Sequence, residues 1–150
     1  MDKFPLTKNG FIALEAELKN LKGVERPNII AAIAEARSHG DLSENAEYSA
    51  AKEKQSFIEA VISRAQVIDP AQTKSDVIRF GATVVVVDED TEEEKKYQIV
   101  GDYEADIEKN LISLSSPLAK ALIGKEAGDI AEFSAPGGRK SFEIIDVIYQ

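Results

Sequence analysis

A chain of 150 residues with 27 Asp and Glu against 18 Lys and Arg carries a net charge of −9 and is 43% hydrophobic, which supports a buried core and excludes an autonomous grip on nucleic acid, since such binders need a basic face to displace phosphate counterions. It has no cysteine and one histidine, His39; this excludes disulfides, thiolate metal sites and histidine-pair catalysis, and suits a reducing, cytoplasmic compartment. No stretch approaches the ~18 apolar residues of a membrane span, and the first residues carry no apolar signal-peptide run, so no membrane partner is expected.

The first element opens at Leu6-Thr7-Lys8. Thr7 offers an N-cap hydroxyl, and Phe11, Leu14, Leu18 and Leu21 follow at spacings of three, four and three, the stripe of a helix that packs along one partner helix. Pro27 removes a backbone donor and is expected to kink this helix. The pattern then resumes through Ile30, Ile33 and Arg37 to Gly40, a residue type that commonly ends helices. A second arm, rich in Ala and Glu, starts near Glu44 and carries Ala51, Ile58, Val61, Ala65 and Ile68. With only Asp41-Leu42-Ser43 between them, the arms form an antiparallel coiled-coil hairpin. The first arm spans about 32 residues, Lys8 to His39, and the second 25, Glu44 to Ile68; at ~1.5 Å per residue the first overhangs by roughly 10 Å.

Charge divides the chain in two. Residues 1–75 hold 10 basic and 11 acidic side chains, residues 76–150 hold 8 and 16. The expected organisation is a hairpin domain over residues 1–69, a linker over 70–80 and a second domain over 81–150. In the latter, the β-branched run Gly81 to Val87, an acidic turn from Asp88 to Glu94, and Tyr97 to Gly101 read as a hairpin of strands. A short strand over Ile112 to Leu114 follows. Ser116 then caps a short helix with Pro117 in its first turn, and Gly124 closes it. Pro136-Gly137-Gly138 turns into a last strand with Phe142, Ile144, Val147 and Tyr149, where consecutive Ile144-Ile145 implies burial on both faces or a bulge. The fold class is therefore α+β, a helical hairpin followed by an antiparallel sheet with one short helix.

The most suggestive segment chemically is Gly40-Asp41-Leu42-Ser43-Glu44-Asn45, which places two carboxylates three positions apart at the end of the hairpin. One reading is a capping box, in which each side chain satisfies orphan amides at a helix start. The other is a rigid arm presenting hard oxygen ligands to a Mg²⁺ held elsewhere, completed by partner groups and water. Arg37 and Lys52 stand on the two arms within about two turns of this tip, either as solvated helix charges or as cations facing a nucleic-acid end. Tyr48 can stack on a base or pack on Ile33.

The segments Leu6-Thr7-Lys8-Asn9-Gly10, Arg26-Pro27-Asn28-Ile29-Ile30-Ala31-Ala32-Ile33-Ala34-Glu35-Ala36-Arg37, Gly40-Asp41-Leu42-Ser43-Glu44-Asn45-Ala46-Glu47-Tyr48, Ile99-Val100-Gly101 and Ser116-Pro117-Leu118-Ala119-Lys120-Ala121-Leu122-Ile123-Gly124-Lys125 resemble, in order and across essentially the whole chain, motifs of the GreA/GreB family of bacterial transcription elongation factors. That resemblance implies a coiled coil followed by an FKBP-like domain, and a factor that enters the secondary channel of backtracked RNA polymerase without being a nuclease itself. Asp41 and Glu44 would help hold the second catalytic Mg²⁺, no metal being bound by the factor alone. Arg37 and Lys52 would contact the nascent RNA 3′ end, Leu42, Ser43, Asn45 and Tyr48 would shape the tip, and Ser115-Ser116-Pro117 would grip the rim of the channel.

Two departures from the family pattern stand out. Ser49 replaces a frequent His, and after Phe57-Ile58-Glu59-Ala60 the second arm is about one heptad short, which matches the difference in arm lengths. Loss of a heptad keeps the register, so the hairpin is expected to zip near its tip while the lower first helix lacks a partner and the second domain is drawn toward the tip or held by a stretched linker. Two other functions follow from the same residues. A prolyl isomerase is disfavoured because nothing from Val84 to Tyr149 spells an aromatic-lined pocket, whereas a channel binder with weak or no cleavage stimulation is consistent with the short arm.

Overall fold

Thr7 caps the first helix. In the computed structural model, which describes residues 3–38, 40 and 44–150 and only the backbone of 44 and 45, the Thr7 hydroxyl accepts from the Gly10 amide at 3.1 Å, and α1 (Lys8–Asn20) follows. Phe11, Leu14 and Leu18 are half-buried and Leu21 is fully buried, the 3-4-3 stripe in its expected phase.

The phase then changes. Leu21–Glu25 forms a π turn, in which the Arg26 amide bonds the Leu21 carbonyl five residues back, before α2 (Arg26–Ser38) continues. Continued unaltered, the stripe would use positions 25, 28, 32 and 35; the half-buried residues of α2 are instead Arg26, Ile29, Ile33 and Ala36, each one residue later. One additional residue in the turn rotates everything beyond it by ~100° relative to the first stripe. This corrects the expected continuation: Ile29 replaces Ile30, which is 51% exposed, and Arg37 lies on the exposed face. The irregularity expected at Pro27 also falls one turn earlier, because the donor that proline lacks lies where the α ladder is already interrupted.

The second arm, α3 (Glu44–Ser63), carries Tyr48, Ala51, Gln55, Ile58 and Val61 on its inner face. Helix α3 ends at Ser63, five residues before Ile68. Ala65 and Ile68, expected on the helix, lie in β2 (Ala65–Ile68), which forms a two-stranded sheet with β1 (Phe4–Thr7). The backbone donors and acceptors that would have extended the helix are satisfied by a strand partner from about sixty residues earlier in the chain.

The chain divides into two compact units, one comprising Met1–Phe4 with Phe11–Ala65 and the other Pro5–Gly10 with Gln66–Gln150. The second unit is built on a five-stranded sheet of order β5-β4-β3-β7-β6, with β3 (Thr83–Asp88), β4 (Glu94–Val100), β5 (Leu111–Ser113), β6 (Ile130–Ala135) and β7 (Gly138–Ile148). The sheet is mixed and not purely antiparallel, since β5 runs parallel to β4. Val84, Val86, Ile99, Phe142 and Ile144 form its core with Ala119 and Leu122 of helix α4 (Pro117–Leu122). The pair Ile144-Ile145 is a bulge: Ile144 is buried, and the β3–β7 register shifts past Ile145, which is 44% exposed. Residues 70–80 are pinned to this unit, for Ile78 is buried and the Tyr149 hydroxyl donates to the Val77 carbonyl at 2.6 Å.

The acidic turn after β3 contains a buried charge. Asp88 is 1% exposed; its carboxylate accepts from the Asp90 amide at 2.8 Å and the Thr91 amide at 3.3 Å, with Lys140 Nζ at 3.5 Å. The Asp90 amide, more than the nearby ammonium, holds this carboxyl below its ordinary range. A depressed carboxylate contributes stability that is present above its unfolded pKa and lost as pH falls through its folded pKa. We therefore expect Asp88→Asn to lower the melting temperature at neutral pH and to match the parent chain at acid pH; equal melting curves at neutral pH would contradict this.

Candidate functional site

Asp41, Leu42 and Ser43, and the side chains of Glu44 and Asn45, lie outside the described residues. Up to the tip, Gly40 adopts the left-handed conformation at φ +82° and its amide bonds the Arg37 carbonyl at 3.1 Å, which is the glycine stop expected there. Arg37 and Lys52 both occupy exposed helix positions on the two arms. Tyr48 packs within the hairpin against Arg26, whose guanidinium carbon lies 5.4 Å from the ring centroid and whose Nη2 donates to the tyrosine hydroxyl at 3.1 Å. Among the described residues no group of three or more His, Asp or Glu is placed to hold a metal ion.

In the second unit, Ser116 is the N-cap of α4, accepting from the Ala119 amide at 3.2 Å, with Pro117 in the first turn. Ser115, just before it, is tied to Asp102: its hydroxyl donates to Asp102 Oδ1 at 2.8 Å, and Ser113 donates to the same oxygen. The Ser113 hydroxyl, followed by that of Ser115, holds the Asp102 carboxyl below its usual range. Beside this loop lies a largely apolar recess of about 410 Å³, lined by Tyr97, Ile107, Leu111, Pro117, Leu118 and Phe133 among others. Ile107 on its margin is 85% exposed. Ser115, Ser116 and Pro117 are thus brought together by the start of α4. Neither Asp102 nor the recess is marked by a motif; an isoleucine within the polar run Asp106 to Asn110 is the one local signal.

A second carboxylate carries more contacts. Glu104 accepts from the Thr7 amide at 2.9 Å, the Thr7 hydroxyl at 2.9 Å and the Gly101 amide at 2.7 Å. It therefore ties the start of α1 to the loop after β4. Nothing in local spacing announces this bond, which joins residues 97 positions apart.

The hairpin with a glycine-ended tip and the small mixed-sheet domain are those of a transcription elongation factor by sequence comparison. Residues 4–66 match the family model described as "Transcription elongation factor, N-terminal", and residues 72–149 match "Transcription elongation factor, GreA/GreB, C-term". The chain belongs to the GreA/GreB family. It is similar to proteins named Transcription elongation factor GreA from Ruegeria pomeroyi, at 61% identity, and from Jannaschia sp., at 64%, with 99% of each chain covered in both cases. It is also similar to the factor of that name from Hyphomonas neptunium, at 59% identity over 157 positions covering 100% of both chains. Since this chain has 150 residues, seven of those positions have no counterpart in it. Among solved structures, GreA factor homolog 1 (Gfh1) of Thermus thermophilus aligns over 97% of this chain and 99% of its own, at 27% identity and a TM-score of 0.45.

Proposed function

We propose that this factor stimulates transcript cleavage by backtracked RNA polymerase, entering the secondary channel with its hairpin so that Asp41 and Glu44 reach the polymerase active site. The observation that carries this reading is the presence of both carboxylates, at the turn between the arms, in a chain 61% identical to a GreA factor over nearly its full length. Two hard oxygen donors suit Mg²⁺ but are too few for its octahedral shell, so polymerase and water would supply the rest. Shared in this way, a second Mg²⁺ helps activate water and stabilise the leaving oxygen of the RNA. Asp41 and Glu44 orient that site, Arg37 and Lys52 hold the nascent RNA 3′ end, and Leu42, Ser43, Asn45 and Tyr48 shape the approach. Ser115, Ser116 and Pro117 dock on the channel rim. The factor is not a free-standing nuclease; it is cytoplasmic, binds RNA only within the complex, and needs no cofactor of its own.

The test is a cleavage assay on backtracked polymerase with Asp41→Ala and Glu44→Ala. Stimulation should fall by about a hundredfold, the scale on which misplaced catalytic groups lose rate, while binding to polymerase persists. Unchanged stimulation by both variants would reject the ligand role and leave the capping reading. A second reading, a channel-binding regulator that stimulates cleavage weakly, is favoured by the seven unmatched positions and by the end of α3 at Ser63. A variant with a heptad inserted after Ala60 separates the two: higher stimulation supports the regulator, equal stimulation removes it.

A further inference from the structure

We propose that Arg26 is the register lock of the hairpin, a positioning residue that sets how far α2 and α3 have slid past one another. Beyond the π turn apolar packing discriminates weakly between registers, the fully buried Leu21, Ile58 and Val61 lying at or below it. Neither α1 nor α2 has a fully buried residue, and the facing stripes above the π turn combine small, polar and aliphatic positions, with Ile29, Ile33 and Ala36 on one arm and Tyr48, Ala51 and Gln55 on the other.

Arg26 is the charged member of that α2 stripe and comes directly after the π turn, which rotates it inward. Its Nη1 donates to Gln55 Oε1 at 2.7 Å, its Nη2 to the Tyr48 hydroxyl, and its Nε is buried without a partner among the described residues. Tyr48 and Gln55 are seven residues apart, so the guanidinium fork engages two successive heptad positions. Sliding α3 by one heptad in one direction would bring Gln55 and Ile62 opposite Arg26, and Ile62 offers no acceptor. Sliding it the other way would bring Tyr48 and the position of Asp41, at the end of the hairpin. One register therefore satisfies the Gln55 and Tyr48 hydrogen bonds and the ring contact together, and the slide toward Ile62 leaves a half-buried cation short of acceptors, at a cost larger than that of a lost apolar contact. A lone polar residue on an apolar seam fixes coiled-coil register in this way. The lock extends downward, for Gln55 Nε2 donates to Glu59 Oε1 at 3.0 Å, and Lys22, within the π turn, pairs with Glu59 at 3.3 Å. Both ends of the turn are thus fastened to one face of α3.

Because the chain has no cysteine, Asn28→Cys and Glu53→Cys place one spin label on each arm of the full-length protein, and the inter-label distance reports register directly. The parent chain should give one narrow distance. Arg26→Met should broaden or shift it by up to roughly 10 Å, one heptad at 1.5 Å per residue. Arg26→Lys should behave like Arg26→Met, because an ammonium supplies neither the planar fork nor the stacked face; a merely charged surface residue would be rescued by lysine. Tyr48→Phe and Gln55→Leu, which keep side-chain volume, carry the same readout if Arg26→Met loses helicity. A single narrow distance unchanged in the lysine, phenylalanine and leucine variants would overturn the proposal. Where the factor stimulates cleavage, as the reading above holds, the variants should lower the maximal stimulation while keeping affinity for polymerase. The distance measurement stands even if that reading fails.

Discussion

Replacing Glu104 by alanine is expected to release residues 5–10 from the loop after β4 while leaving the sheet intact. The amides of Thr7 and Gly101 and the Thr7 hydroxyl would lose their shared acceptor, and a buried amide left unpaired costs on the order of 1–3 kcal/mol. Thr7 is itself buried and caps α1, so the loss reaches the first helical turn. The fit around this carboxylate is closed by two glycines. A Cβ on Gly10 would lie 1.4 Å from Glu104 Oε2 and 2.5 Å from its Cδ, so Gly10→Ala must expel the carboxylate and should reproduce Glu104→Ala. A Cβ on Gly101 would lie 2.1 Å from the Pro5 carbonyl oxygen. That atom belongs to the backbone of β1, which has to move as a whole, so Gly101→Ala should be the most damaging of the three. Native-state hydrogen exchange measures this: the amides of Thr7 and Gly101 should exchange about tenfold faster or more in Glu104→Ala, with Val84 and Val86 unchanged. Equal protection at Thr7 would show that the clamp contributes nothing.

The largest loss of stability is expected from Phe142→Ala. Phe142 is 2% exposed and sits between two rings, with Phe133 at 5.2 Å and Tyr97 at 6.4 Å between centroids. Truncation removes its burial and leaves a cavity in a close-packed sheet, which for phenylalanine costs ~3–5 kcal/mol. For a unit of this size each kcal/mol lowers the midpoint by about 4–8 °C, so a fall well beyond 10 °C is expected in calorimetry. Phe133→Ala, at the half-buried end of the same pair, should cost less. A change below about 1 kcal/mol in Phe142→Ala would contradict the core assignment.

Much of the fold was legible because its signals are local. Thr7 and Ser116 cap helices through hydroxyls three residues from the amides they accept, Gly40 and Gly124 adopt the left-handed conformations of helix ends, and Pro136-Gly137 separates β6 from β7. Each depends on one side chain and a turn of backbone. The stripe of α1 was legible for the same reason, since its period is that of the helix itself. The tip was legible only as a pair of alternatives, because Asp41 and Glu44 at that spacing serve a capping box and a metal equally well. Of the segment before α4, Ser115 and Ser116 could be picked out from their motif, but Asp102, thirteen residues from Ser115, could not.

The amino-acid sequence by itself therefore determined where α1 and α4 start, that Gly40 ends the first arm, that nearly all the negative charge lies in the second half, and that two carboxylates stand between two unequal arms. Only the tertiary structure decided how those pieces are phased and joined. The π turn after Asn20 moved Ile29 inward and Ile30 outward, since one residue of register on a helix is ~100° of rotation. The last part of the expected second arm became β2 because a strand sixty residues earlier offers it partners, a choice between two ways of satisfying the same backbone groups. Glu104 and Arg26 took their roles from residues 97 and 22 or 29 positions away. A carboxylate or a guanidinium carries no mark of its partner in the chain around it; it acquires one only when folding removes the water that would otherwise have solvated it.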